Sequence, residues 1–347
     1  MKTPAHICIT SILFISFLAA CTMDVSPNAQ QDMVNTAVAG TQMAEVLAQA
    51  TVNANALTAM PATPTPGPTI EYVTLTEEEL VALIDQAVAE AVSACEQVTQ
   101  AASAATGDDM VTEDEVQYVY TYYDYTDYYL DYAEELLSTY YDLYADLAQE
   151  MIAEFNAIEE ELAQLNDTMT QISDSLAEIS DTLSQGLEVA QESIAKLENA
   201  AQQAQSQAAM LQEERQDITS TLQTDQQHRM EEISQIQPSN IPADRTSALE
   251  AGFQFIDFAN SALTDSKISR DELVGLAQLG ANAQAGFKNI AGADRFSSNT
   301  IDLSQFSDRF SEITTQFAHG QMPQARGNLQ HFELSLGQRP VRNSPRP

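Results

Sequence analysis

Across residues 118–222 an apolar residue recurs at every third or fourth position, and no proline interrupts the run. That period belongs to a helix that buries one face. The seam reads Tyr118, Tyr122, Tyr125, Tyr129, Tyr132, Leu136, Tyr140, Leu143, Leu147, Met151, and continues through Phe155, Leu183 and Leu197 to Leu222. As one helix it would extend about 150 Å at 1.5 Å per residue. Gly186 is the one residue that marks a candidate bend, and without a proline or turn cluster beside it continuity is the expectation. The middle of the seam is a strict heptad. Phe155, Leu162, Met169, Leu176 and Leu183 take position a, and Ile158, Leu165, Ile172 and Ile179 take position d. Leucine at a with isoleucine at d favours assemblies of more than two helices. The fold class is therefore all-α.

Charge sets the surroundings of that seam. The chain of 347 residues has a formal net charge of −37. Residues 22–237 contain 40 acids against the three bases Lys196, Arg215 and Arg229, whereas residues 238–347 are close to neutral. In the heptad region Glu160, Asp167, Asp174 and Asp181 fall every seventh residue at position f, farthest from the seam, so the acids form a solvated outer stripe. Such an arm repels nucleic acid and anionic lipid and attracts basic partners, with weak divalent cation binding.

Helix starts are marked independently of the seam. Thr76 with Glu79, Thr112 with Glu115, and Ser269 with Glu272 each form a capping box, bracketed by the apolar pairs Leu75/Leu80, Val111/Val116 and Ile268/Leu273. The first box opens a helix over 77–105 with the seam Val81, Ile84, Val88, Ala91, Cys95, Val98, Ala102, Ala105. The short loop 106–110 turns it into an antiparallel αα-hairpin with the tyrosine-rich helix that follows. In VQYVYTYYDYTDYYLDYAEELL the tyrosines follow helical spacing, so core packing is the leading reading and an aromatic platform for a glycan or peptide the other. Residues 238–336 read as a small helical bundle with Phe253, Phe255 and Phe287 as core or cavity residues. Its helices are expected at about 242–263, 270–290, 301–318 and 323–336, the first opened by Pro242. Residues 337–347 read as a basic disordered tail bearing Arg339, Arg342 and Arg346.

Residues 1–20 are of a different kind. Lys2 precedes an apolar run at 7–17, too short to span a bilayer as a mature helix. The run ends Leu18, Ala19, Ala20, Cys21, which resembles the lipobox of bacterial lipoproteins. The resemblance implies that 1–20 is a signal peptide and that Cys21 is the lipid attachment site. It implies a protein held at the cell membrane or outer membrane on the extracytoplasmic face. Residues 21–75 then read as a tether, stiffened by Pro61, Pro64, Pro66 and Pro68 in PATPTPGPT. With Cys8 in the signal and Cys21 acylated, Cys95 has no partner within the mature chain. Two options stay open for it, a buried thiol or an intermolecular bridge.

Catalytic chemistry finds no motif. Phosphate loop, dinucleotide fingerprint, nucleophile elbow and HExxH are absent. His228, His319 and His331 are not at zinc spacing, and exposed carboxylates give no acid/base signal. Glu272 and Asp265 match half an EF-hand loop, but Ser261, Leu263 and Ser266 break it and the capping box accounts for Ser269 and Glu272. No catalytic, cofactor or metal residue is assigned. The expected role is a non-enzymatic spacer or scaffold: 1–20 signal, 21–75 tether, 76–237 acidic hairpin and coiled-coil-like arm, 238–336 bundle. Its partners would be the membrane through the anchor and a protein or second copy through the seam. A ligand- or glycan-binding surface lipoprotein, using the bundle or the tyrosine face, is the alternative.

Overall fold

The structure is a computed structural model that describes residues 72–107, 110–264, 267–293 and 306–337. The signal, Cys21, most of the tether and the basic tail lie outside the described residues. The chain divides into two units, Met1–Thr63 and Pro64–Pro347, and every described residue belongs to the second.

The protein is all-α. After a short 3₁₀ turn at Tyr72–Thr74 come α1 (Glu77–Thr106), α2 (Glu113–Tyr144), α3 (Gln149–Ser184) and α4 (Gln191–Glu214). A 3₁₀ turn at Arg215–Asp217 leads α4 directly into α5 (Ile218–Ser234). Then follow α6 (Arg245–Ala262), α7 (Arg270–Ala293), α8 (Ser307–Ala318) and α9 (Met322–Leu336). All three capping boxes form, each with its Thr or Ser oxygen accepting from the Glu backbone N–H and the Glu carboxylate accepting in return.

The seam expected on a single helix is distributed over several, broken at 145–148 and 185–190. At the second break Gly186 adopts φ +68, with Gly186 N–H donating to Leu183 O and Leu187 N–H to Thr182 O. This is a Schellman closure, in which a left-handed residue lets the last carbonyls bond back and reverses the chain. Cross-contacts then fix the directions. Tyr140 meets Glu77, Tyr141 meets Glu159, Ser193 meets Glu178, Thr221 meets Glu154, and Arg229 meets Glu77. Successive helices are therefore antiparallel, and α1 packs on both α2 and α4, closing a four-helix ring. The a and d residues of α3 between Phe155 and Ile179 are fully buried in this ring, so the preference for several strands is met inside one chain.

On α2 the buried line is not the tyrosine line. Val116, Val119, Tyr123, Thr126, Leu130, Ala133, Leu137, Tyr140 and Tyr144 alternate steps of three and four towards the core, all buried except the half-buried Tyr123. Tyr122, Tyr125, Tyr129 and Tyr132 sit half-buried beside it, and Tyr118 is 55% exposed. Aliphatic and small side chains fill the narrow centre, while the longer phenols lie along its edge with their hydroxyls reaching outwards.

Helices α6 to α9 close a second ring, α6 on α7, α7 on α8, α8 on α9 and α9 on α6. The Phe310 ring meets Phe255, Phe287 and Phe332 edge-on at 5.1, 5.0 and 4.9 Å. The opening of α6 differs from expectation. Pro242 stays outside the helix, and Asp244 is the N-cap, its carboxylate accepting from Ser247 N–H at 2.8 Å. A side-chain acceptor satisfies a free helix N–H, which Pro242 cannot do.

Candidate functional site

The strongest concentration of polar groups lies where the two rings meet. Arg229 on α5 donates from Nη2 to Glu77 Oε2 at 2.7 Å and lies 3.1 Å from Asp225 Oδ2, in ion-pair contact without hydrogen-bond alignment. All three side chains have 0% exposure. Tyr140 donates its hydroxyl to Glu77 Oε1 at 2.8 Å, so both carboxylate oxygens are used. Buried ions are tolerated only when paired and hydrogen-bonded in this way.

Backbone groups from both rings converge on the same place. Gly320, in the turn between α8 and α9, accepts at its carbonyl from Glu77 N–H at 3.1 Å and from the Tyr144 hydroxyl at 3.3 Å. Its φ is +64, and a β-carbon there would collide with the Glu77 side chain. Asp225 accepts at Oδ1 from Glu150 N–H at 3.3 Å. Helix α3 has no side-chain cap of its own from Ala148, so Asp225 serves that terminus from another helix, a favourable place for a carboxylate. Around the rim, Gln226 donates to Glu78 Oε1, Arg270 pairs with Glu232 at 2.7 Å, and the Arg270 N–H donates to Asp146 O.

Electrostatics follow from burial. Desolvation raises the Asp225 pKa, Arg229 opposes the rise and Glu77 adds to it. For Arg229 burial acts to lower the pKa, but Glu77 and Asp225 outweigh it and hold the guanidinium charged. Burial puts the Tyr140 hydroxyl well above its ordinary value, with Glu77 reinforcing, so it stays a donor. His319 is held below its ordinary 6.5 by burial and then by Arg229. With no exposed atom on Glu77, Asp225 or Arg229, a substrate cannot touch them unless the rings separate. The ion cluster itself ties α5 to α1 and α2, and the second ring joins it through Gly320 O, which accepts from Glu77 N–H and Tyr144, and through Arg270.

One residue of this cluster, Arg229, has a faint signature in the sequence, which it shares with Arg215. Arg215 and Arg229 fall on the apolar seam of a segment that has only three bases, and such a position demands an acid opposite. Arg215 Nε meets Asp85 at 2.6 Å, and the third base, Lys196, meets Glu178 at 3.1 Å. Glu77 carries no such signal. As one of three successive acids opening α1 it reads as an ordinary first-turn carboxylate.

Of the residues singled out by sequence, Cys21 lies outside the described residues. Cys95 is fully buried with its thiol 3.6 Å from Ala204 O, and burial, with a smaller contribution from Glu96, pushes its pKa up to about 12. Alkylating reagent is expected to leave Cys95 untouched in the native protein and to modify it fully in urea. A reductant-sensitive dimer of the native chain would contradict this. Phe253, Phe255 and Phe287 are core, not cavity lining. The open hollow of about 370 Å³ on this ring is lined instead by Asn240, Ile241, Ser247, Gln254, Leu279 and Asn282, among others. His228 pairs with Glu150 at 2.6 Å on the surface. Among the described residues no group of three or more His, Cys, Asp or Glu is arranged to hold a metal ion, and no helix is long and apolar enough to cross a membrane.

The acidic surface gives stability a definite pH dependence. Burial is the largest cause raising Glu78, Asp127, Glu134, Glu154, Glu161 and Asp225 above their ordinary values. A carboxyl whose folded pKa is raised contributes stability that is fully present below its unfolded pKa and is lost as pH rises through the folded one. His319, lowered in the fold, acts oppositely below pH 6.5. Glu178 and Asp244, held low by hydrogen bonds, act oppositely only as pH falls further, through the ordinary carboxylate range. Melting temperature should therefore rise as pH falls from 8 to about 5, and added salt should narrow the difference. Melting curves at constant ionic strength test this, and a fall in melting temperature over that range would refute it.

No protein-family model, curated protein or solved structure matches the chain.

Proposed function

We propose that this protein is a lipid-anchored, extracytoplasmic, non-enzymatic scaffold, attached through Cys21 and presenting a rigid acidic helical body to a protein partner. The anchoring half rests on the charged start, the apolar run and Leu18-Ala19-Ala20-Cys21 in immediate succession. The scaffold half is carried by the Glu77–Arg229–Asp225 junction. A body in which this buried cluster ties α1 to α5 and meets the second ring at Gly320 O is suited to holding a surface in a fixed geometry. The apolar seam is covered by the chain's own helices, which leaves the acidic and tyrosine-bearing exterior for a partner, and its charge selects a basic one. Palmitate labelling and membrane fractionation in a bacterial host test the anchor. Cys21→Ser is expected to abolish label incorporation and to release the protein from the membrane fraction, while label retained in that variant would sink the lipoprotein reading.

The second reading, a ligand- or glycan-binding surface protein, is favoured by the amide-lined hollow around Asn240, Gln254 and Asn282. Thermal shift against a saccharide panel separates it from the scaffold reading.

A further inference from the structure

Tyr118, Tyr122, Tyr125, Tyr128, Tyr129 and Tyr132 share one edge of α2, on the side where Glu90 of α1 acts electrostatically on Tyr129. Tyr122, Tyr129 and Tyr132 pack against the core and stay half-buried, whereas Tyr118 and Tyr128 are 55% and 43% exposed. The rings brace one another. Tyr118 stands edge-on to Tyr122 at 5.0 Å with the two hydroxyls 3.0 Å apart, and Tyr128 stands edge-on to Tyr129 at 5.2 Å and stacks with Tyr132 at 6.3 Å. Phenols held in this way are rigid anchors that lose little side-chain entropy on binding. The charge around them has one sign. Neither α1 nor α2 contains a lysine, arginine or histidine. Glu90 acts on Tyr129 and Glu135 on Tyr132, and among the described residues no base pairs with either carboxylate.

We propose that this edge is a docking surface for an arginine-bearing extended segment of a partner protein, its guanidinium planes lying on the tyrosine rings and its N–H groups donating to the neighbouring carboxylates. The inference rests on the scaffold reading and gives its basic partner a place and a form. The face of a phenol ring is negative and attracts a cation, and a planar guanidinium stacks on it where a compact ammonium cannot. Glu90 and Glu135 then accept the outward N–H groups as charge-assisted hydrogen bonds. The same field turns other occupants away. Nucleic acid and anionic lipid meet like charge, and a second copy docked edge to edge would set Glu90 and Glu135 against their own equals. Spacing sets the form of the segment. Tyr118, Tyr125 and Tyr132 lie seven residues apart, about 10.5 Å on a helix. A polyproline II segment returns to the same side every third residue, about 9 Å. Arginine at every third position therefore brings successive guanidinium groups to successive rings.

The test uses the full chain bearing Cys21→Ser and synthetic peptides on a serine-proline background, with arginine, lysine or neutral citrulline at every third position. Calorimetry at low salt is expected to show the arginine peptide binding, the lysine peptide binding more weakly and the citrulline peptide not binding. Combining Tyr118→Leu with Tyr128→Leu keeps the charge and should leave circular dichroism unchanged. It should weaken the arginine peptide about tenfold, the loss of two cation–π contacts. Glu160→Gln with Asp167→Asn, on the outer stripe of α3, should change it less than about twofold. An arginine peptide whose affinity ignores the tyrosine variants would overturn this site and leave a basic partner elsewhere on the body. Absence of binding by either cationic peptide would overturn the basic partner as well. A neutral saccharide that displaces the arginine peptide would give the edge to a glycan instead, and a dimer of the parent that the tyrosine variants dissolve would give it to a second copy. A large gain in affinity on replacing Arg339, Arg342 and Arg346 together with serine would also refute a separate partner, because the chain's own arginines would then be the occupant.

Discussion

Replacing Arg229 with methionine is expected to destabilise the protein by about 3–5 kcal/mol, the cost of leaving buried carboxylates without their counter-charge. Glu77 and Asp225 are both fully enclosed, and Arg229 is the base that touches both. A methionine fills much of the same volume, so the loss would report charge rather than a cavity. Combining Arg229→Met with Glu77→Gln and Asp225→Asn removes the uncompensated charge and should recover most of the loss. Urea unfolding monitored by circular dichroism reads both. A single variant as stable as the parent would mean that the junction is not held by this triad.

The second large effect is expected at Gly320. Alanine in its left-handed conformation costs about 1–2 kcal/mol by backbone sterics. The added β-carbon also meets the Glu77 side chain, and overpacking a closed site costs about 1–3 kcal/mol more. Gly320→Ala should therefore lower stability by about 2–5 kcal/mol. Gly337, at φ +80 with open space around its would-be β-carbon, supplies the control: Gly337→Ala should show the backbone part alone. Because the Gly320 change acts by displacing Glu77 from Arg229, it should be less than additive with Arg229→Met. Full additivity would show that the turn and the ion cluster are independent.

Both predictions concern residues that the sequence does not mark as belonging together. Glu77 and Arg229 are 152 positions apart, and Gly320 lies in a turn of the other ring. What the sequence determines by itself is local. The three capping boxes locate the starts of α1, α2 and α7, because a threonine or serine oxygen and a glutamate three residues on satisfy one another's backbone donors without outside help. The buried line of α3 is equally determined, since Phe155 to Ile179 fit a heptad that leaves only one face apolar.

The division of the seam was decided elsewhere. Residues 145–148 are Ala-Asp-Leu-Ala, compatible with continued helix, and the seam keeps its period through them. The chain turns there because Leu147 and Ala148 are buried, Asp225 caps the start of α3 and the Arg270 N–H bonds to Asp146 O. On α2 two adjacent lines have helical spacing, and only the neighbours across the ring select the aliphatic one. Periodicity specifies that a face is covered, and capping specifies where a helix begins. Which element covers the face, and whether a buried charge meets its opposite, depends on contacts between residues far apart in the chain, and these exist only once the helices have packed.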